Sequence, residues 1–259
     1  QFEGYVPTKF HAEYHLIGKG GVAGIVTSMA SRLQRVGPTK LRLIGYAKDD
    51  NGGVINTRYL STRKFKFAAG KKVPFKTVLS IGSSMDSGKT TSAAYLCRGL
   101  KAAGNKVVFF KLTGTVFNKD KMLAYDCGAD VALDFAEFGF PSTYLCSMMN
   151  LLDIYEGLRS LAQKSNPDYV VIEIADGLLQ RETDMLISNK QFMSTIDHVL
   201  LSIGDSLSAL QGINSLRSKG IMPFAISGLI NTRPLLVDEV KKSIPLPLLG
   251  LEDLARSSS

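Results

Sequence analysis

A doubly wound, mainly parallel α/β sheet preceded by a small β domain is the fold class this sequence predicts, and three observations predict it. From Thr77 onward, short continuous apolar runs alternate with helical stretches, as expected of parallel strands buried on both faces. Before that point the chain reads as β structure punctuated by turn residues. The charge divides at the same place. Residues 1–76 hold fourteen Lys/Arg against four Asp/Glu, whereas the remainder holds seventeen against nineteen, so the net +8 sits in the N-terminal third. A chain of 259 residues accommodates one large α/β domain and a small accessory one. The linker composition of Gly70-Lys-Lys-Val-Pro74 places the division between a basic β domain over 1–72 and a second domain over 73–259.

In the first part, Val22–Met29, Thr39–Ala47 and Val54–Leu60 are rich in residues that favour strands, within a domain of three to five strands. Ala-Lys-Asp-Asp-Asn-Gly-Gly, residues 47–53, is a turn between the last two. Gly18-Lys-Gly-Gly-Val-Ala-Gly24 imitates a nucleotide loop but leads into a strand, and reads as a glycine turn. In the second part, strands are expected at Thr77–Ile81, Lys106–Phe110, Tyr169–Ile174, His198–Ser202, Phe224–Ile226 (or as far as Ile230) and Leu246–Leu249. Helices are expected at Lys89–Ala103, Met148–Gln163, Ser206–Lys219 and Leu235–Lys242. The tail Ala255–Ser259 reads as frayed.

The segment that carries chemistry is Gly82-Ser-Ser-Met-Asp-Ser-Gly-Lys-Thr-Thr91. It follows a buried strand and opens a helix, so its backbone N–H groups and the helix N-terminus would cradle phosphate. Lys89 would reach the β- and γ-phosphates and the Thr90 hydroxyl would ligate Mg²⁺. Thr91 would approach the α-phosphate, while Gly82, Ser84, Met85, Asp86, Ser87 and Gly88 complete the loop. The usual pattern has glycine six positions before the lysine; here Ser83 holds that position and the glycine lies one residue earlier.

This loop resembles the Gly-Thr-Asp-x-x-x-Gly-Lys-Thr loop of dethiobiotin synthetases and their relatives, in the class of P-loop proteins (SIMIBI) that also contains MinD-like ATPases and metallochaperone GTPases. Further segments resemble that group in order. Lys111-Leu-Thr-Gly-Thr115 falls where the group carries a lysine at a strand end. Val170-Val-Ile-Glu-Ile-Ala-Asp-Gly177 resembles its carboxylate strand, Gly228-Leu-Ile-Asn231 its base-contacting strand end, and Ile244-Pro-Leu-Pro-Leu-Leu-Gly250 the late segment flanking the base. The resemblance spans about residues 76–252. It departs at Ser84 and Met85, where the group has an aspartate and dethiobiotin synthetase a catalytic threonine. Thr113-Gly114 and Ala129-Asp-Val-Ala-Leu-Asp-Phe135 instead match a branch distinct from dethiobiotin synthetase itself.

The resemblance implies an ATP- and Mg²⁺-dependent ligase- or kinase-like enzyme, with GTP as the alternative nucleotide. In it Lys89, Lys111 and Glu173 are catalytic, and Thr90 and Glu173 hold the metal directly or through water. Asn231 and Pro247 flank the base. Lys111 would draw a small anionic acceptor, such as a carboxylate, toward the γ-phosphate. Two other readings stand beside it: a nucleotide switch gated by a protein partner, and a nucleic-acid-associated ATPase. Either would use the basic N-terminal part, where Tyr59, Phe65 and Phe67 interleave with basic residues, as the surface for an acidic protein or nucleic acid. A homodimer is implied by the resemblance alone. No run approaches the roughly 20 apolar residues of a membrane span, and no basic-then-apolar leader is visible. Cys97, Cys127 and Cys146 match no zinc or disulfide framework, and the expected compartment is the cytoplasm.

The remaining candidates have ordinary explanations. Asp126, Asp130 and Asp134 read as turn and capping residues or as ligand groups beyond a strand end. Asp176 reads as a turn residue or a γ-phosphate sensor. His198 reads as structural, and His11 and His15 lack metal-ligand spacing. Arg233-Pro234 reads as a helix start or a cover over the nucleotide.

Overall fold

The computed structural model describes residues 2–60 and 65–256, and not the side chains of Tyr59 and Leu60. Expectations resting on the Tyr59 side chain or on residues 257–259 therefore lie outside what is described.

Four strands form the N-terminal sheet: β1 (Phe2–Tyr5), β2 (Tyr14–Gly18), β3 (Val22–Met29) and β4 (Lys40–Leu41). They are antiparallel, in the order β1-β3-β2-β4. The glycine turn is confirmed: Gly21, at φ +94°, donates to the Gly18 carbonyl at 3.0 Å and turns β2 into β3. The strand expected over Thr39–Ala47 shrinks to two residues, pairing only with Tyr14 and His15. Ile44 and Tyr46 beyond it are exposed, so strand propensity without a buried face yields no ladder. The Asp49–Gly52 turn forms, but Val54 makes only an isolated bridge to Lys48. The strand expected over Val54–Leu60 is overturned: Thr57–Leu60 is one helical turn, α1. The Asn56 side chain accepts the Arg58 N–H, and the Thr57 hydroxyl donates to the Gly139 carbonyl.

The large sheet is six parallel strands: β5 (Lys76–Gly82), β6 (Val107–Lys111), β7 (Val131–Asp134), β8 (Tyr169–Glu173), β9 (His198–Ser202) and β10 (Ala225–Ser227). Their order is β10-β9-β5-β8-β6-β7. The helices are α2 (Lys89–Ala102), α3 (Asn118–Asp126), α4 (Met148–Gln163), α5 (Arg181–Ser188), α6 (Lys190–Met193), α7 (Ser206–Ser218), α8 (Pro234–Ser243) and α9 (Leu251–Ala255). Side chains alternate across each strand. Val108 and Phe110 of β6 join the core under α4 with Leu79, Ile81 and Ile172. Val107 and Phe109 join Ala93, Ala94 and Cys97 of α2 on the opposite face. Covering both faces explains the continuous apolar runs. Leu246–Leu249 is not a full strand: Leu248 makes a single parallel bridge to Ile226.

Residues 65–71 run as a strap along α4. Phe65 meets Phe138 edge-on, Phe67 packs on Tyr155, and Lys71 pairs with the buried Glu156 at 2.6 Å. The β2–β3 turn docks on the segment after β6. A Cβ on Gly20 would lie 1.9 Å from the Val116 carbonyl oxygen, and Lys19 sits over the Phe117 ring at 5.3 Å. Gly20→Ala is accordingly expected to loosen the N-terminal sheet, read as faster proteolysis within residues 2–56 while the six-stranded part stays resistant.

Candidate functional site

Strand β5 runs into the loop Ser83–Gly88, and α2 begins at Lys89, all at the carboxyl edge of the central strand. This is where open parallel sheets bind ligands. The displaced glycine has a local reason. A Cβ on Gly82 would meet the Ser87 hydroxyl at 2.2 Å and the Lys89 stem at 2.7 Å, so the loop folds back over that position. Gly88 adopts φ +94°, and Asp86, at φ +57°, is one of few non-glycine residues in that region. Lys89 is buried, and its Nζ donates to the Ser84 carbonyl at 2.9 Å.

Glu173, at the end of β8, is 1% exposed. The Thr90 hydroxyl donates to its Oε1 at 2.8 Å, while Oε2 is buried with no hydrogen-bond partner among the described residues. That orphaned oxygen beside a threonine hydroxyl fits a hard divalent cation, and a single carboxylate suits Mg²⁺, which keeps waters and phosphate oxygens as its other ligands. Among the described residues no cluster of three or more His, Cys, Asp or Glu forms a metal cage.

Lys111, at the end of β6, is held by Asp120 of α3 and lies 3.8 Å from Glu173 Oε1. Asp120 was not among the residues singled out from the sequence; it identifies itself only once α3 lies beside β6. Burial pulls the Lys111 pKa down, but Glu173 and Asp120 outweigh it and the net shift is upward. Burial lowers the Lys89 pKa, opposed by Glu173 and Asp176. Full burial raises the Glu173 carboxyl, opposed by Lys111 and the Thr90 hydrogen bond. A metal ion at Oε2 would reverse that upward shift, because a divalent charge favours the carboxylate.

Asp176, in the left-handed region at φ +65°, follows Glu173 on a segment pressed against the loop. A Cβ on Gly177 would lie 2.6 Å from Ser84 Cα. Burial raises the Asp176 carboxyl, opposed by Lys89 and Lys111. Thr113 Oγ1 accepts the Ala175 N–H at 2.9 Å and so ties the β6 end to the β8 end.

On the other side of α2, a cavity of about 400 Å³ is lined by Gly88, Thr91, Gly228, Asn231, Gly250 and Asp253. Asn231 enters it with its amide donating to the Leu249 carbonyl at 3.0 Å. Pro247 precedes this region, its carbonyl accepting the Ile226 N–H at 2.8 Å. Of the aspartates near β7, Asp130 pairs with Lys101, and Asp134 caps a short 3₁₀ turn and pairs with Lys121. Arg233 donates to the Gly204 carbonyl, and Pro234 opens α8. His15 Nδ1 accepts the Val26 N–H, and His198 packs edge-on with Phe224.

Among solved structures, the chain is similar to the signal recognition particle receptor FtsY from Elizabethkingia anophelis, with TM-score 0.50 and 18% identity over 72% of this chain. The fold is that of the P-loop NTPases. The chain spans 63% of that FtsY structure's length. Chloroplast FtsY from Physcomitrella patens is also similar, at TM-score 0.47 and 17% identity, covering 76% of this chain and 67% of its own. A DUF1611 family protein from Anabaena variabilis shows TM-score 0.49 and 15% identity, covering 71% of this chain and 56% of its own. No family model matches the chain, and no curated protein does. The likeness reaches the P-loop NTPase fold and stops short of the dethiobiotin synthetase-like group. No helix among the described residues is long and apolar enough to cross a membrane.

Proposed function

We propose that this protein is a Mg²⁺-dependent P-loop NTPase that binds a nucleoside triphosphate on the loop 82–91 and cleaves its terminal phosphoanhydride. The observation that carries the reading is the convergence of Lys89, Thr90 and Glu173, with one carboxylate oxygen buried and unpartnered. In this reading Lys89 neutralises charge developing on the β- and γ-phosphates. Thr90 and Glu173 hold the metal, which supplies Lewis-acid charge neutralisation when bound. The base lies in the cavity beside Asn231, and the lack of an Asn-Lys-x-Asp tetrad after Gly228 favours ATP over GTP.

The likeness to a receptor protein supports a cycle gated by a protein partner more directly than phosphorylation of a carboxylate, which the structural neighbours do not support. The basic N-terminal part is the surface offered to such a partner.

Phosphate release tests the reading. Wild type is expected to hydrolyse ATP only with Mg²⁺. Glu173→Gln should shift the half-saturating Mg²⁺ concentration upward, by roughly 10- to 100-fold if the loss of a ligand matches the loss of its supporting partners. Equal turnover in EDTA, or an unchanged Mg²⁺ dependence in the variant, would remove Glu173 from the metal site.

A further inference from the structure

The N-terminal sheet covers part of the site. Between it and the ends of β6 and β8 lies a second cavity of about 1020 Å³, the upper end of the range for small-molecule pockets. Its outer wall is apolar, with Tyr5, Ile17, Val22 and Met29 from the sheet and Val116 and Leu145 opposite. Its floor holds Lys111 and Asp176, next to the loop that carries Lys89.

The charged groups on this cavity differ in what they have left to offer. Lys111 is bound by Asp120, and Lys19 lies over Phe117. Glu182 is buried and accepts from Leu145 N, Arg181 and Gln180. Glu3 stands at the sheet's rim, on β1. Asp176 makes no hydrogen bond or ion pair among the described residues. A half-buried carboxylate that feels Lys89 and Lys111 but hydrogen-bonds to neither keeps its acceptor lone pairs open to a donor on a ligand in the cavity.

We infer that this cavity is a second-substrate site for a small molecule with an apolar body and a hydroxyl or amine head, the body against the N-terminal sheet and the head donating to Asp176. The inference rests on the nucleotide reading for its chemistry and departs from the carboxylate acceptor expected from the sequence. The acceptor's hydroxyl oxygen or amine nitrogen bonds to the terminal phosphorus as the bond from that phosphorus to the bridging oxygen breaks. The acceptor's proton passes to Asp176, and the nucleoside diphosphate leaves with the electron pair of the broken bond. Lys111, held by Asp120, lines the same floor.

The test needs no nucleotide, so it can fail independently of the NTPase reading. Hexylamine, hexanol and hexanoate share one apolar body and differ only in the head. With ¹³C-methyl-labelled methionine, Met29 and Met85, which both line the cavity, report binding. Met222, exposed before β10 at the opposite edge of the sheet, is the control. Hexylamine and hexanol are expected to shift Met29 and Met85 but not Met222, and to bind at least tenfold more tightly than hexanoate. Asp176→Asn should erase the preference for hexylamine. Ser28→Trp, on an exposed residue of the cavity wall, should abolish the shifts while the variant retains the wild-type unfolding midpoint. Equal binding of hexanoate, shifts at Met222 as large as at Met29, or no shift with any of the three probes would overturn the inference.

Discussion

Lys89→Ala is expected to abolish Mg²⁺–ATP binding at concentrations that saturate the wild type. The ammonium is buried at the start of α2 and, among the described residues, donates inward to the Ser84 carbonyl. Phosphate would replace that contact with charge-assisted hydrogen bonds, each worth roughly 1.5–3 kcal/mol, or about 10- to 100-fold in Kd. Turnover should fall further, by roughly 10²–10³-fold, if the lysine meets charge that develops in the transition state. The unliganded variant should nonetheless remain folded, because burial already disfavours the charged lysine.

The same residue has a pH signature. Its folded pKa lies below the ordinary 10.5, so between the two values the unfolded chain binds more protons. Stability carried by Lys89 therefore rises with pH across that alkaline window. Lys89→Ala should flatten the slope in equilibrium unfolding measured there. A wild-type slope retained in the variant would assign it to another group.

Gly228→Ala is expected to be the most damaging conservative substitution near the site. Gly228 has φ +109°, and a Cβ there would lie 2.4 Å from the Ser87 carbonyl oxygen and 2.6 Å from Ile203 N and O. All three are backbone atoms, so no flexible side chain can yield. Gly88 stands back to back with it, its own Cβ position 3.1 Å from Gly228 Cα. Strain and overpacking together should cost about 3 kcal/mol, a fall in melting temperature of roughly 6–12 °C for a chain of this size. Because one of these atoms, the Ser87 carbonyl oxygen, belongs to the loop 82–91, nucleotide binding should weaken in parallel. A variant with wild-type melting and binding would show that the two loops are free to separate.

The phosphate loop was legible in the sequence because its chemistry is local: glycine, lysine and threonine at fixed spacing between an apolar run and a helix. Glu173 was singled out through the resemblance of Val170–Gly177 to a carboxylate strand, and it lies at the end of β8 beside the Thr90 hydroxyl. Asp120 was not. Helix α3 opens Asn118-Lys-Asp-Lys and carries one buried residue, Ala124, so no apolar stripe announces it. Strand β7 is four residues at the sheet edge, and Asp126, Asp130 and Asp134 around it read as turn and capping residues or as ligand groups. The Thr39–Ala47 and Val54–Leu60 expectations failed where side chains suited to strands found no partner strand and no buried face. The cavity beneath the N-terminal sheet depends on residues more than a hundred positions apart, and no pattern in the sequence joins Met29 to Asp176.

The most direct test of the account is calorimetric titration of ATP and GTP, with and without Mg²⁺, into wild type and Lys89→Ala. The account predicts Mg²⁺-dependent binding of ATP, tighter than GTP, that disappears in the variant. Absence of binding by either nucleotide to the wild type, or binding that survives the loss of Lys89, would contradict it.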